Sequence, residues 1–304
     1  MIYLIIAISC SSTIALIFKY SESRGMNRYA VTTSNYAVAS LISFVFIMTS
    51  TERTSDIPYG FSRIPSIIHR LVISKNQLSD HDMTGWALLI GSWAGVFFFL
   101  AFIYYQKSVR HHGVSLAGAF AKMGIFVPMT LSLLFWREIP GMTQWMGMGI
   151  AACAIIVSHW PIGAHASRFR SWALLLLFLF GGCAEFSNKI FQHYGSISER
   201  PIFLFVTFFL AFALSSVALG RSRVIIRIRD IRTGILVGIP NLFSSYFLIR
   251  ALMDIPASVA FPVFGAGTIA IISIVGVFAC GERLTIKSTA IVILVILSII
   301  LASI

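Results

Sequence analysis

Residues 255–268 read Ile255-Pro256-Ala257-Ser258-Val259-Ala260-Phe261-Pro262-Val263-Phe264-Gly265-Ala266-Gly267-Thr268, and the apolar run that follows ends in a polar turn, Gly281-Glu282-Arg283-Leu284. Such a run is long enough to cross a bilayer as a helix, which takes about 20 apolar residues. Pro256, Pro262, Gly265 and Gly267 interrupt it. Inside lipid, breaks of this kind survive where neighbouring helices re-satisfy the freed backbone groups, and small residues let a second backbone approach closely. The stretch therefore predicts a helix enclosed by other helices and walling a cavity.

The rest of the chain has the same character. Of 304 residues 58% are hydrophobic and 11% charged, with a mean hydropathy of +0.88. Those values exclude an ordinary soluble domain. Only helices and closed barrels satisfy every backbone group in lipid, and the alternation of a barrel strand is absent, so the fold class is an all-α membrane protein. Apolar windows of membrane-core length predict ten transmembrane helices, near 2–18, 29–49, 84–105, 113–135, 142–160, 171–191, 201–219, 231–250, 257–280 and 285–303. The run Ile2–Phe18 lacks the charged start and small-residue cleavage site of a signal peptide and is read as helix one.

Cys10, Cys153, Cys183 and Cys280 all fall within apolar runs and have no CxxC or Cys/His spacing, so packing is their default role and neither disulfide nor metal is expected. His111-His112 lacks a third ligand and reads as part of a solvated loop. The net charge of +12 would suit nucleic acid, but the basic residues are dispersed among loops, and anionic lipid headgroups are the simpler partner. No phosphate-binding loop occurs, no cofactor is implied, and a gradient rather than ATP is expected to drive any transport.

The one long connection is 50–83. Within it Ile64, Ile67, Ile68, Leu71 and Val72 keep helical spacing beside Arg63, His69, Arg70 and Lys75. A short helix lying on the membrane surface, with Pro65 in its first turn, fits this pattern; a disordered polar loop is the alternative.

Ten helices invite a search for two copies of five. Lys19 closes helix one and Lys189 closes helix six, 170 residues apart; Glu138 follows helix four and Glu282 follows helix nine, 144 residues apart. The two copies are read as 1–160, carrying the long loop 50–83, and 171–304. Five crossings per copy give the halves opposite orientations. Loops after odd-numbered helices hold fourteen lysines and arginines against eight in the even-numbered loops, which by the positive-inside rule places both termini outside. The basic segment at 63–75 argues the other way, since it would favour an anionic cytoplasmic leaflet.

Ile255-Pro256, Ala260, Phe261, the small cluster Gly265 to Thr268, Ser273 and Gly281-Glu282-Arg283-Leu284 resemble the last hairpin of the small multidrug resistance proteins. With Glu138-Ile139-Pro140-Gly141-Met142-Thr143-Gln144-Trp145-Met146-Gly147 and the Phe18-Lys19-Tyr20-Ser21-Glu22 end of helix one, the chain resembles EamA-type members of the drug/metabolite transporter superfamily. The resemblance implies a ten-helix secondary transporter of two inverted five-helix repeats around a central cavity, moving its substrate by alternating access. The small multidrug proteins use a glutamate in their first helix; here Ser11 and Gly181 stand at the matching places.

Lys122 lies near the middle of the predicted fourth helix, where an ionised group is costly unless it faces protein or water, and is the first substrate-binding candidate. Glu185 follows, with Asn188 and Lys189 just beyond it; Glu185 and Lys189 share a helix face, while a Glu185–Lys122 pair is the sharper alternative. Ser11, Asn35, Trp93, Asn241, Ser244 and Tyr246 supply polar atoms within apolar runs, with interhelical hydrogen bonding as the competing role. Phe261 and Phe264 stand where the small multidrug proteins present cavity aromatics, and apolar packing is their other reading.

The expectation is a secondary active transporter of small organic metabolites, amino-acid-like solutes or drugs, in the inner or plasma membrane. It would use a proton or sodium as coupling ion, bind no nucleic acid, and act as a monomer or homodimer. A metabolite-permeable channel is the alternative. A membrane-embedded enzyme ranks last, because the polar residues are scattered singly instead of forming a convergent catalytic cluster.

Overall fold

The computed structural model describes residues 1–49, 57–69, 82–137, 139–159, 172–222 and 224–280, together with 293, 294, 296–298, 300 and 301. Among these the secondary structure is helical throughout: α1 (Ile2–Ser23), α2 (Arg28–Thr49), α3 (Ile57–His69), α4 (Met83–Met123), α5 (Phe126–Trp136), α6 (Met142–His159), α7 (Trp172–Tyr194), α8 (Arg200–Arg221), α9 (Ile228–Ala251) and α10 (Ala257–Cys280), with a 3-10 turn at Ile197–Glu199. Among the described residues six stretches are long and apolar enough to cross a membrane: Ile2–Ser23, Arg28–Thr49, Met83–Ser108, Trp172–Tyr194, Ile197–Arg221 and Ile228–Ala251. The protein is a multi-pass helical membrane protein.

Local chemistry explains several of the helix ends. Gly25, at φ 59°, takes the left-handed position after α1, and its N–H bonds Glu22 O while Met26 N–H reaches back to Ser21 O. Asn27 then caps α2, its Oδ1 accepting from the Tyr29 and Ala30 N–H groups. α9 begins with Asp230 accepting the Arg227 N–H at 3.0 Å, which satisfies one donor at a helix start.

Two expectations about connections change. The polar run 106–112 is helical, so the predicted third helix and the first part of the predicted fourth, 113–123, are parts of one 41-residue helix, α4, while the rest of the predicted fourth is α5. No glycine or proline stands in that run, and polarity alone does not break a helix. The break comes instead at Gly124, whose carbonyl would meet the ring of Pro128 four residues on. In the long connection a helix does form, but it starts at Ile57. Pro58, not Pro65, occupies its first turn, where the missing N–H costs nothing, and Pro65 lies inside the helix. Ile67 is fully buried, so α3 is anchored in protein. Leu71, Val72 and Lys75, the Gly281–Leu284 turn, Glu138 and most of the predicted tenth helix lie outside the described residues.

The chain divides into two compact units. One comprises Met1–Leu16, Leu100–Phe186 and Arg250–Ile304; the other comprises Ile17–Phe99 and Ser187–Ile249. In the second unit α2 packs along α8, and the core gathers Tyr36, Ile67, Trp86, Phe191, Phe203, Phe208 and Leu242. Phe191 and Phe203 stack with ring centroids 4.3 Å apart, an arrangement that adds to their burial. α3 lies against the start of α4 through two glycines: a Cβ on Gly85 would meet Gly60 O at 2.8 Å.

The same unit contains two further glycine crossings. α4 carries Gly91-Ser92-Trp93-Ala94-Gly95; a Cβ on Gly91 would meet Phe203 O of α8 at 2.9 Å and Val206 Cβ at 3.1 Å, and one on Gly95 would meet Thr207 O at 2.7 Å and Leu210 Cβ at 2.9 Å. α9 carries Gly234-Ile235-Leu236-Val237-Gly238; there Gly234 meets Val31 O and Ser34 Cβ of α2, and Gly238 meets Asn35 O and Val38 Cβ, both at 2.7 Å. Gly91 and Gly234, like Gly95 and Gly238, are 143 residues apart, while Val31 and Phe203, Ser34 and Val206, Asn35 and Thr207, and Val38 and Leu210 are all 172 apart. Two sequence shifts thus turn one crossing into the other.

In the first unit α10 packs against α5 and α6. Here Gly124 meets Phe178 O of α7 at 3.0 Å and Gly267 of α10 meets the Ile8 side chain of α1 at 2.8 Å. The same kind of relation holds, for Gly124 and Gly267 are 143 apart and Ile8 and Phe178 are 170 apart.

Candidate functional site

Polar side chains within the helices concentrate at a few crossings in each unit. In the unit containing α2 and α9, Asn241 donates from Nδ2 to Asn35 Oδ1 at 3.0 Å, directly beside the Gly238 close approach. Asn35 is buried, and the pair satisfies amide groups that lipid cannot. One residue on, Tyr36 donates from its hydroxyl to Phe98 O at 3.4 Å and stacks on Phe208. Ser244 and Ser245 continue the buried polar face of α9.

At the next turn stands Tyr246, with the Arg200 guanidinium carbon 3.4 Å from its ring centroid and Arg200 Nη1 donating to its backbone oxygen at 3.5 Å. Phe46 and Phe243 flank the ring at 6.1 and 6.3 Å. Arg200 opens α8, where the helix dipole is unfavourable to a cation, and it is 91% buried, since 9% of its surface is exposed. The ring face offsets part of that cost. Its neighbour Glu199 is fully buried and accepts from Thr84 Oγ1 at 3.2 Å. Asn188 and Lys189 are buried too, and Lys189 Nζ donates to Gln192 Oε1 at 2.8 Å. Trp93 lies at the surface, half exposed and tilted against Phe97.

In the other unit, α1 meets α10 where Ser12 Oγ donates to Ile8 O at 2.7 Å and approaches Thr268 O at 3.4 Å. Ser11 is buried beside it. Residues 257–270 are buried on every side, so Phe261 and Phe264 are enclosed. The last turn of α4 crosses α7, with Gly124 against Phe178 O and Gly182 N and Gly181 facing Ala121 O. Lys122 belongs to this turn, but its side chain lies outside the described residues. Glu185, three residues beyond Gly182, is half-buried.

The structure thus joins Asn35 to Asn241, brings the backbone carrying Lys122 against the turn of α7 that leads to Glu185, and sets Tyr246 under a residue the sequence reading passed over. Neither Arg200 nor Glu199 was singled out from the sequence. The signal available was Ser198-Glu199-Arg200-Pro201, two opposite charges at a helix start fixed by proline. Among the described residues no cluster of three His, Cys, Asp or Glu side chains could hold a metal ion.

These helices and their buried polar crossings define a class, the multi-pass helical membrane proteins. No family model matches the chain, and no curated protein does. The fold is similar to a solved structure titled "Crystal structure of protein", with a TM-score of 0.69 and 13% identity over 99% of this chain and 95% of that one. At that identity the likeness concerns the fold alone.

Proposed function

We propose that this chain is a secondary transporter of small organic metabolites, built as two inverted five-helix repeats of the EamA type and working by alternating access. The observation that carries the reading is the recurrence of the glycine crossings. α4 on α8 and α9 on α2 share their contacts under shifts of 143 and 172 residues, and the Gly124 and Gly267 contacts follow shifts of 143 and 170. A chain that duplicated an odd number of crossings would produce such matched contacts, each helix of one copy packing on a helix of the other. Inverted copies have two equivalent ways to pack, which is the physical basis for exposing one site to either side of a membrane. Lys122, within an otherwise apolar stretch of sequence, favours a small solute bearing a carboxylate or phosphate.

The test is transport by the purified full chain in liposomes across a panel of amino acids, organic acids and cationic drugs. Saturable, gradient-driven uptake with counterflow is expected. Absence of movement for the whole panel, or large unsaturable single-channel currents, would remove the carrier reading.

A further inference from the structure

The link from α8 to α9 reads Arg221-Ser222-Arg223-Val224-Ile225-Ile226-Arg227, and α9 opens with Ile228-Arg229-Asp230-Ile231-Arg232. Residues 224–227 are not helical, and Val224, Ile225, Ile226 and Ile228 are exposed, Ile225 to 79%. Arg221, Arg227, Arg229 and Arg232 are exposed among them. The nearby acids are spoken for: Asp230 is buried, bonded to the Arg227 N–H with Arg229 Nε 3.9 Å away, and the partly exposed Glu22 is paired with Arg28. The outward charge of this end is therefore positive.

The α1–α2 link adjoins it. Asn27 Nδ2 reaches Ile225 O at 3.5 Å, and Thr233 Oγ1 donates to Met26 Sδ at 3.4 Å. This adds exposed Arg24, set 5.5 Å over the half-exposed ring of Tyr20, the kind of aromatic that settles at headgroup level. Exposed aliphatics interleaved with arginines are unfavourable in water but suit the boundary between acyl chains and phosphates. The link also joins two stretches long enough to cross a membrane, Ile197–Arg221 and Ile228–Ala251, which puts it where headgroups lie.

We propose that this end of the molecule is a binding surface for anionic phospholipid, with the aliphatic run 224–228 entering the acyl boundary and Arg24, Arg221, Arg227, Arg229 and Arg232 holding headgroup phosphates. It fixes that end in the anionic leaflet whatever solute the protein carries.

The experiment compares phosphatidylglycerol with phosphatidylcholine binding to the full chain in detergent by native mass spectrometry. Phosphatidylglycerol is expected to bind more tightly. Replacing Arg221, Arg227, Arg229 and Arg232 together by Gln removes the preference, at roughly five-fold in affinity per arginine. Lys107→Gln with Arg137→Gln, exposed cations elsewhere, leaves it intact. Equal binding of the two lipids, or an undiminished preference in the fourfold variant, overturns the proposal. Should that variant not fold, Ile225→Trp in phosphatidylglycerol vesicles carrying brominated acyl chains decides, read as the emission added over that of the six native tryptophans: quenching of the added emission supports the insertion, and its escape from quenching overturns it.

Discussion

Arg200 and Tyr246 form a contact whose parts can be separated chemically. The guanidinium lies on the ring face, whereas its hydrogen bond goes to the backbone oxygen, which any side chain leaves in place. Tyr246→Phe therefore keeps both interactions and should shift stability by less than about 1 kcal/mol, while Tyr246→Leu removes the ring and should cost about 2 kcal/mol, the value of a desolvated cation–π contact. Thermal unfolding in detergent distinguishes the two; equal losses would mean that the hydroxyl, not the ring, holds Arg200. The Asn35–Asn241 pair invites a different measurement, because losing the Asn241 amide leaves the buried Asn35 without this partner, and losing Asn35 does the same to the half-buried Asn241. Asn35→Leu and Asn241→Leu should each destabilise, and the double variant should cost less than their sum, with a coupling of about 0.6–1.7 kcal/mol; strict additivity would deny the bond. The amide pair was legible as two polar residues in apolar runs, though not as partners, since that depends on the α2–α9 crossing. Arg200 was not legible as a buried cation: a charge at a helix end ordinarily reaches water, and only the fold reveals that Tyr246 covers it.

At the scale of the element, glycine decides which helix faces meet. A Cβ on Gly95 would fall 2.7 Å from Thr207 O, and one on Gly238 would fall 2.7 Å from Asn35 O, so in both crossings the obstacle is backbone, which yields only if a helix moves. Gly95→Ala and Gly238→Ala should each lower stability by about 1–3 kcal/mol, in similar measure because the crossings match. Gly149→Ala in α6, where a Cβ meets nothing within 4 Å, should be neutral or gain up to about 1 kcal/mol of helix propensity. The reading of matched crossings fails if Gly95→Ala is tolerated and Gly238→Ala is not, as measured by apparent melting temperature. Helix positions themselves were legible from apolar runs, because a membrane span announces its own length. The joints were less so: the 106–112 link looked like a loop by polarity, yet contains no breaker, and α3 was recognised from Ile64 and Ile67 while its start at Ile57 was hidden by Pro58 and Gly60, residues that usually mark loops.

For the molecule as a whole, the proposed transport function raises the question whether the crossing of α4 and α7 is a working part or only a packed joint. Gly124, Gly181 and Gly182 bring two backbones together there, and glycines permit sliding as readily as tight packing. Lys122 precedes Gly124 by two residues and Glu185 follows Gly182 by three, so both ionisable side chains start within a turn of the contact. Ionisable residues within apolar helices carry a cost in stability, and on the proposed transporter reading these two are predicted to carry the cycle. Lys122→Gln and Glu185→Gln should each slow uptake into liposomes at least ~10-fold, the effect of about 1.4 kcal/mol on the limiting barrier. The double variant should be little worse than either single one, as expected for residues acting as a unit. Counterflow separates their roles: if Glu185 carries the coupling proton, Glu185→Gln loses gradient-driven accumulation yet still exchanges solute, whereas Lys122→Gln loses both by failing to bind it. Unimpaired uptake in either single variant, at wild-type melting temperature, would reduce the crossing to a structural joint and move the search for the solute site to the buried polar face of α9.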